Sequence, residues 1–148
     1  MGRYAVDGDQ NAAAAISILG TTRGAAKRHK WAYLTIGSAA TPDDQASNLQ
    51  VNRTTTAGTG GNAPTPMPFV PAEGAAVTTA AANHSAEPTK TAGEILLSIS
   101  HNSRANFQFY AQPGCELVAP DVANNGLVLV FIVATGTQLH EATVHFDE

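Results

Sequence analysis

Apolar positions in the C-terminal third of the chain recur with a period of two. Glu94-Ile95-Leu96-Leu97-Ser98-Ile99-Ser100 sets Ile95, Leu97 and Ile99 on one side of an extended segment. Asn106-Phe107-Gln108-Phe109-Tyr110 sets Phe107 and Phe109 on one side, and Thr143-Val144-His145-Phe146 does the same for Val144 and Phe146. Between them, Leu127-Val128-Leu129-Val130-Phe131-Ile132-Val133 is an unbroken apolar run, as in a strand covered on both faces. Polar turn clusters separate these segments: His101-Asn102-Ser103, Gln112-Pro113-Gly114, Asn124-Asn125-Gly126 and Thr135-Gly136-Thr137. Asn125-Gly126 is the strongest of them, because both residue types tolerate positive φ.

Upstream, Trp31-Ala32-Tyr33-Leu34-Thr35-Ile36-Gly37 has the aromatic and β-branched content of a strand, and Leu49-Gln50-Val51-Asn52-Arg53-Thr54 alternates. Thr41-Pro42-Asp43-Asp44-Gln45 between them suits a loop or one helical turn, with Thr41 as cap and Pro42 first inside. Pro64-Thr65-Pro66-Met67-Pro68-Phe69-Val70-Pro71 excludes a helix or a central strand and predicts an extended surface crossing. Many short strands with frequent turns and little helix predict an all-β, antiparallel sandwich or barrel. Residues 31–148 are expected to form that single domain, with long Pro/Gly/Thr-rich loops. The Ala-rich, then basic, residues 1–30 are expected to form an extended N-terminal arm.

Composition narrows the function. Charged residues are only 14% of the chain, against about 25% in average soluble domains, so the surface is unusually neutral. Such a surface suits a protein packed against neighbours. A net charge of −4 argues against a general nucleic-acid binder. One cysteine, Cys115, excludes an internal disulfide framework and a multi-Cys zinc site. No apolar run is long enough for a membrane helix, and no secretory leader is recognisable, so the expectation is synthesis in a cytoplasm.

Motifs that suggest chemistry fail on physical grounds. Asp7-Gly8-Asp9-Gln10-Asn11 opens like a calcium loop, but Ala12 and Ile18 stand where that loop needs Gly and a bidentate Glu; a polar turn is expected. Gly58-Thr59-Gly60-Gly61-Asn62-Ala63 spells a dinucleotide fingerprint, but Pro64 and Pro66 forbid the helix that would hold a pyrophosphate. His140 and His145 are five apart, so on a strand they point to opposite faces and cannot share a metal. His84 and His101 sit in polar, loop-like stretches without a nucleophile arrangement, and no Gly-x-Ser-x-Gly elbow exists. Cys115 follows Pro113-Gly114 with nothing to activate it. The Asn-x-Ser/Thr patterns at Asn52 and Asn83 carry no meaning without a secretory route. No catalytic residue, metal site or cofactor is expected, and the chain reads as a non-enzyme.

One charged cluster stands out. Arg23, Lys27, Arg28 and Lys30 are four of the eight basic residues, and they suit either a solvated loop or a docking segment for an acidic partner surface. Asp147 and Glu148 are acidic, so opposite-signed ends are expected to be able to meet across subunits.

The order of segments then resembles a known class. Tyr33-Leu34-Thr35-Ile36-Gly37-Ser38-Ala39-Ala40-Thr41-Pro42-Asp43-Asp44-Gln45-Ala46 is followed by a Thr-rich strand ending in Thr56-Ala57-Gly58-Thr59, then by the Pro-rich crossing. Asn83-His84-Ser85-Ala86-Glu87-Pro88-Thr89 and Arg104-Ala105-Asn106-Phe107-Gln108-Phe109-Tyr110-Ala111-Gln112-Pro113-Gly114 complete it. Over residues 31–148 this resembles small β-rich structural proteins of tailed bacteriophages, of the capsid decoration or cement type. The resemblance implies a jelly-roll-like β-sandwich on the outer surface of a virion head, bridging major capsid subunits as dimers or trimers, with no membrane or specific nucleic-acid partner. Two other functions stay open. A carbohydrate- or receptor-binding module on a phage head or tail would use exposed aromatics, with Trp31, Tyr4, Tyr33 and Tyr110 as candidates and Trp31 and Tyr33 sharing a strand face. A cupin-type enzyme would need clustered His and Glu, which the dispersed histidines do not offer.

Overall fold

The computed structural model describes residues 1–24, 27–39 and 41–148. Ala25 and Ala26 of the basic segment, and Ala40 of the Tyr33–Ala46 segment, lie outside the described residues. Among the described residues there is no helix. Eleven strands run in the order β1 (Arg3–Asn11), β2 (Ser17–Thr22), β3 (Lys30–Ser38), β4 (Ala46–Thr54), β5 (Met67–Pro68), β6 (Thr79–Ala81), β7 (Lys90–Asn102), β8 (Phe107–Tyr110), β9 (Leu117–Val118), β10 (Gly126–Ala134) and β11 (Leu139–Asp147). All pairings are antiparallel.

Two sheets form a sandwich. One has the order β5-β1-β11-β3-β8, with β9 also on β3; the other has the order β6-β2-β10-β4-β7. Stripped of the short strands, the sheets read β1-β11-β3-β8 and β2-β10-β4-β7, two interlocked Greek keys, which is the jelly-roll arrangement. The expected sandwich is therefore present, and the barrel alternative is not.

The arm expected over residues 1–30 is absent. Those residues supply β1, paired with β11 along its whole length, and β2, paired with β10. Tyr4 and Val6 alternate into the core, and Gly8 continues their face where a Cβ would lie 3.0 Å from Leu19, Ala82 and the Ile18 carbonyl. Asp7-Gly8-Asp9-Gln10-Asn11 is thus the second half of a strand and not a polar turn.

Trp31, Leu34, Ile36, Leu49, Phe131, Val144 and Phe146 are the fully covered centre of the core between the sheets. β10 is buried from Gly126 to Phe131 on both faces, as its apolar run predicts. Its outward residues Val128 and Val130 are covered by the protein's own loops. Ser17 N–H and O–H both donate to Glu87, and His84 sits between Gly20 and Gly58, where a side chain on either glycine would meet the imidazole. Bridges Thr59–Ala86 and Asn62–Ala82 tie the two covering loops together.

Turn chemistry holds with two changes, the first being that β7 runs on through His101 and Asn102, so the turn there begins only at Ser103. Asn124, not Gly126, takes the left-handed conformation before β10, at φ 67°. Gly126 is needed for close approach, since a Cβ there would lie 1.8 Å from the Thr21 carbonyl oxygen. The Pro-rich crossing runs along the sheet margin, where Met67–Pro68 makes a two-residue edge strand on β1, as proline demands.

Candidate functional site

A β-strand shows alternate side chains to opposite faces, so each residue that points away from the core of β1, β11, β3 and β8 builds the outer surface of the first sheet. The registers Met67–Ala5, Ala5–His145, His145–Tyr33 and Tyr33–Tyr110 lie in one line across that sheet. Phe69, just past β5, joins the line. Ring centroids are 4.8 Å apart for Phe69–His145, 4.5 Å for His145–Tyr33 and 4.6 Å for Tyr33–Tyr110. The result is a continuous aromatic row on an open face, with Phe69, Met67 and Tyr110 at 50%, 63% and 70% exposure.

A β-bulge makes this row. The β3–β11 register shifts between His145 and Phe146, which leaves Ala32 as the extra residue. Trp31 consequently points into the core with no exposure, while Tyr33 points outward. The shared face expected for Trp31 and Tyr33 does not exist, and Tyr4 is buried as well, so of the four candidate aromatics only Tyr33 and Tyr110 reach the surface.

Charge borders the row on one side and acid on the other. Arg3 holds Asp147 through two hydrogen bonds of 2.7 and 3.2 Å, and Lys30 meets Glu116 at 3.0 Å. Backbone donors and Lys30 together hold the Glu116 carboxyl below its ordinary range. Burial, helped by the Arg3 charge, lowers the His145 imidazole, so this member of the row is neutral at physiological pH. Tyr33 raises the Tyr110 phenol, which also stays neutral. On the far side, Asp7, Asp9 and Glu141 line an open depression of about 440 Å³, with Asp9 directly across from Glu141. Among the described residues no three His, Cys, Asp or Glu side chains come together as a metal would require.

Three members of the basic cluster are engaged along one segment, residues 116–121. Arg23 reaches Asp121 at 3.2 Å, Arg28 donates to the Ala119 carbonyl at 2.8 Å, and Lys30 is engaged with Glu116. Lys27 is exposed and lowers the Glu148 carboxyl from a distance. The acidic end is likewise used within the molecule: Asp147 holds Arg3, and the Glu148 carboxylate accepts the Val77 and Thr78 N–H groups at 2.8 and 2.9 Å. Both acidic residues thus have partners within the chain, and among the described residues neither forms an ion pair with the basic cluster.

The histidines are not all in loops, and two that are far apart in sequence come together. His140 points inward and His145 outward, as their spacing requires. His101 belongs to β7 and is buried, with its ring 5.4 Å from that of His140. His84 Nδ1 lies 2.9 Å from Ser17 Oγ, beside Glu87. That trio has the residue types of a hydrolase triad without its geometry. The carboxylate bonds the serine rather than the imidazole, and Ser17 has no exposed surface, so the group pins the covering loop to β2. Cys115 is exposed in its turn.

No family model, curated protein or solved structure matches the chain. The geometry therefore carries the argument alone. Sequence reasoning missed Phe69 and His145 as surface aromatics. The signal was partial: Phe69 sits among prolines, where an exposed edge is expected, and His145 alternates with Val144 and Phe146.

Proposed function

We propose that this protein is a structural virion component that decorates a phage head, binding the outer shell surface and bridging major capsid subunits. The observation that carries the reading is the open aromatic row Phe69–His145–Tyr33–Tyr110. It is rigid, because each ring is fixed on a sheet or against its neighbour, so little entropy is lost on docking. Tyrosines of this kind are favoured anchors of protein interfaces. On one side Arg3 and Lys30 are already paired within the chain, and on the other Asp7, Asp9 and Glu141 leave the border of the row acidic. On the opposite sheet the loops around Thr59 and His84 cover the outer side over β2, whereas the row on the first sheet is uncovered.

One observation favours the carbohydrate-binding alternative: the Tyr110 ring is 70% exposed at the end of the row. A glycan stacks on ring faces, however, and the inner rings of the row lean on one another with interplanar angles of 41° and 42°. Their faces are largely used up, which leaves a short platform.

The test is co-sedimentation of purified protein with phage heads that lack it, beside a glycan array. Saturable binding to heads that Tyr110→Ala weakens supports decoration. Glycan binding without head binding would replace it with the carbohydrate reading.

A further inference from the structure

We propose that β7 pairs edge to edge with β7 of a second copy, in antiparallel register centred on Ile99 so that Ser98 lies opposite Ser100 of the copy, to form a two-fold dimer. The inference deepens the decoration reading, which calls for self-association, and rests on it for its biological sense; its geometry stands apart from the aromatic row.

An unpaired strand edge presents free N–H and C=O groups, and monomeric proteins blunt such edges. Three of the four outer strands here are blunted. β5 has two residues among Pro66, Pro68 and Pro71; β6 has three residues; β8 has four and runs on to Pro113. β7 is the exception. It has 13 residues and, among the described residues, pairs only with β4. Its bulge near Leu96 leaves Leu97–Asn102 in unbroken register with Ala46–Val51, so this half is regular and ready to accept another strand. From Ile95 to His101 there is no Lys, Arg, Asp, Glu or Pro.

The core is also unfinished on that side. β7 and β8 end their respective sheets along the same flank of the sandwich, and Leu96, Leu97, Phe107 and Phe109 there touch the core while staying only half-buried. On the opposite flank Tyr4, Val6 and Ile18 are closed off. An open, mostly apolar depression of about 530 Å³ adjoins the same stretch, lined by Ala46, Ser100, Val133 and Thr135 among others.

The occupant that fits is β7 itself. A strand edge takes a strand. Across a two-fold axis every outward donor of an antiparallel edge meets an outward acceptor of its copy, so the surface is self-complementary. The half-covered apolar flank meets an identical apolar flank, and the uncharged stretch brings no like charges together.

The experiment is light scattering on the free protein across a concentration series, on wild type and on a Ser98→Lys/Ser100→Lys variant. Both serines are exposed, so the fold should be retained, and the melting temperature checks it. Wild type is expected as a dimer, and the lysines should raise its dissociation constant about tenfold or more through like-charge contact across the seam. Amide exchange should show Leu97–Asn102 protected in wild type and faster in the variant. Tyr110→Ala should stay dimeric. A wild-type monomer, a closed trimer, or a dimer that survives the lysines but not Tyr110→Ala would overturn the proposal. None of these outcomes depends on shell binding, so failure here and failure of the decoration reading are separable.

Discussion

His29 offers the sharpest test of the energetics. It is fully buried, and its Nε2 lies 2.8 Å from Thr21 Oγ1, which also accepts the Trp31 Nε1–H at 2.8 Å. Thr21 has one proton to donate, and it goes to Nε2. The imidazole is then neutral with its own proton on Nδ1, which has no partner among the described residues. Protonation would turn Nε2 into a donor, so the Thr21 hydroxyl would have to accept from both Trp31 and His29 and its own O–H would lose its acceptor. Burial lowers the His29 pKa to about 4; Glu148 opposes this and Arg23 adds to it. The folded value lies below that of the unfolded chain, near 6.5, so the unfolded state binds the proton first as pH falls. The contribution of His29 is complete above pH 6.5 and declines toward pH 4. The whole window is worth about 3 kcal/mol, of which about 2 kcal/mol is gone by pH 5.

The perturbation is His29→Gln, which keeps a polar atom toward Thr21 and cannot titrate. Trp31 is the sole tryptophan and sits in the same network, so its fluorescence in urea reports unfolding directly. The drop in stability between neutral pH and about pH 5 should be smaller in the variant by about 2 kcal/mol. The residual slope belongs to His84, His101, His140 and His145, each lowered chiefly by burial and present in both proteins. Equal slopes in wild type and variant would refute the argument.

Two further perturbations follow from contacts already described. Gly126→Ala forces a Cβ against the Thr21 carbonyl and should lower urea stability by about 3 kcal/mol, since backbone cannot move aside as a side chain can. Glu148→Gln keeps one acceptor for the Val77 and Thr78 N–H groups and loses the charge. It should cost about 1–3 kcal/mol at neutral pH, with faster amide exchange at Val77 and Thr78. Burial raises the Glu148 carboxyl, but its backbone donors outweigh that and set it below 4.5. Its contribution is thus present above that value and lost as pH falls through the lower folded one.

Legibility in the sequence followed the local rules closely. β3, β10 and β11 are readable because their side-chain alternation or apolar continuity is intact over most of their length. β1 was hidden by Gly8 and by polar Asp7, Asp9 and Gln10, although Tyr4 and Val6 carry the inward phase. Bulges defeated the rest. At Ala32 one extra residue sends Trp31 and Tyr33 to opposite faces, and near Leu96 another sends Ile95 outward, at 50% exposure, while Leu97 and Ile99 face the core. A bulge depends on the partner strand, so no window of one strand reveals it. The aromatic row was equally hidden, because Phe69, His145, Tyr33 and Tyr110 come from four distant segments that only the sheet order aligns.

The two proposed surfaces make a joint prediction. A two-fold axis that pairs antiparallel edges stands perpendicular to the sheet, so it keeps corresponding sheets on the same side of the dimer. Both aromatic rows would then face one way, with their Tyr110 ends toward the seam and their Phe69 ends toward the outer margins of a doubled sandwich, a geometry that can bridge two neighbouring shell subunits. Linked contacts of this kind gain avidity without any new contact, by about 100-fold or more where the spacing matches. Ser98→Lys/Ser100→Lys should therefore weaken binding to heads by about that factor while leaving the row intact. Tyr110→Ala should weaken each contact and leave the dimer whole. Unchanged head affinity in a variant shown to be monomeric would mean that each copy docks alone, and the bridging geometry would have to be abandoned.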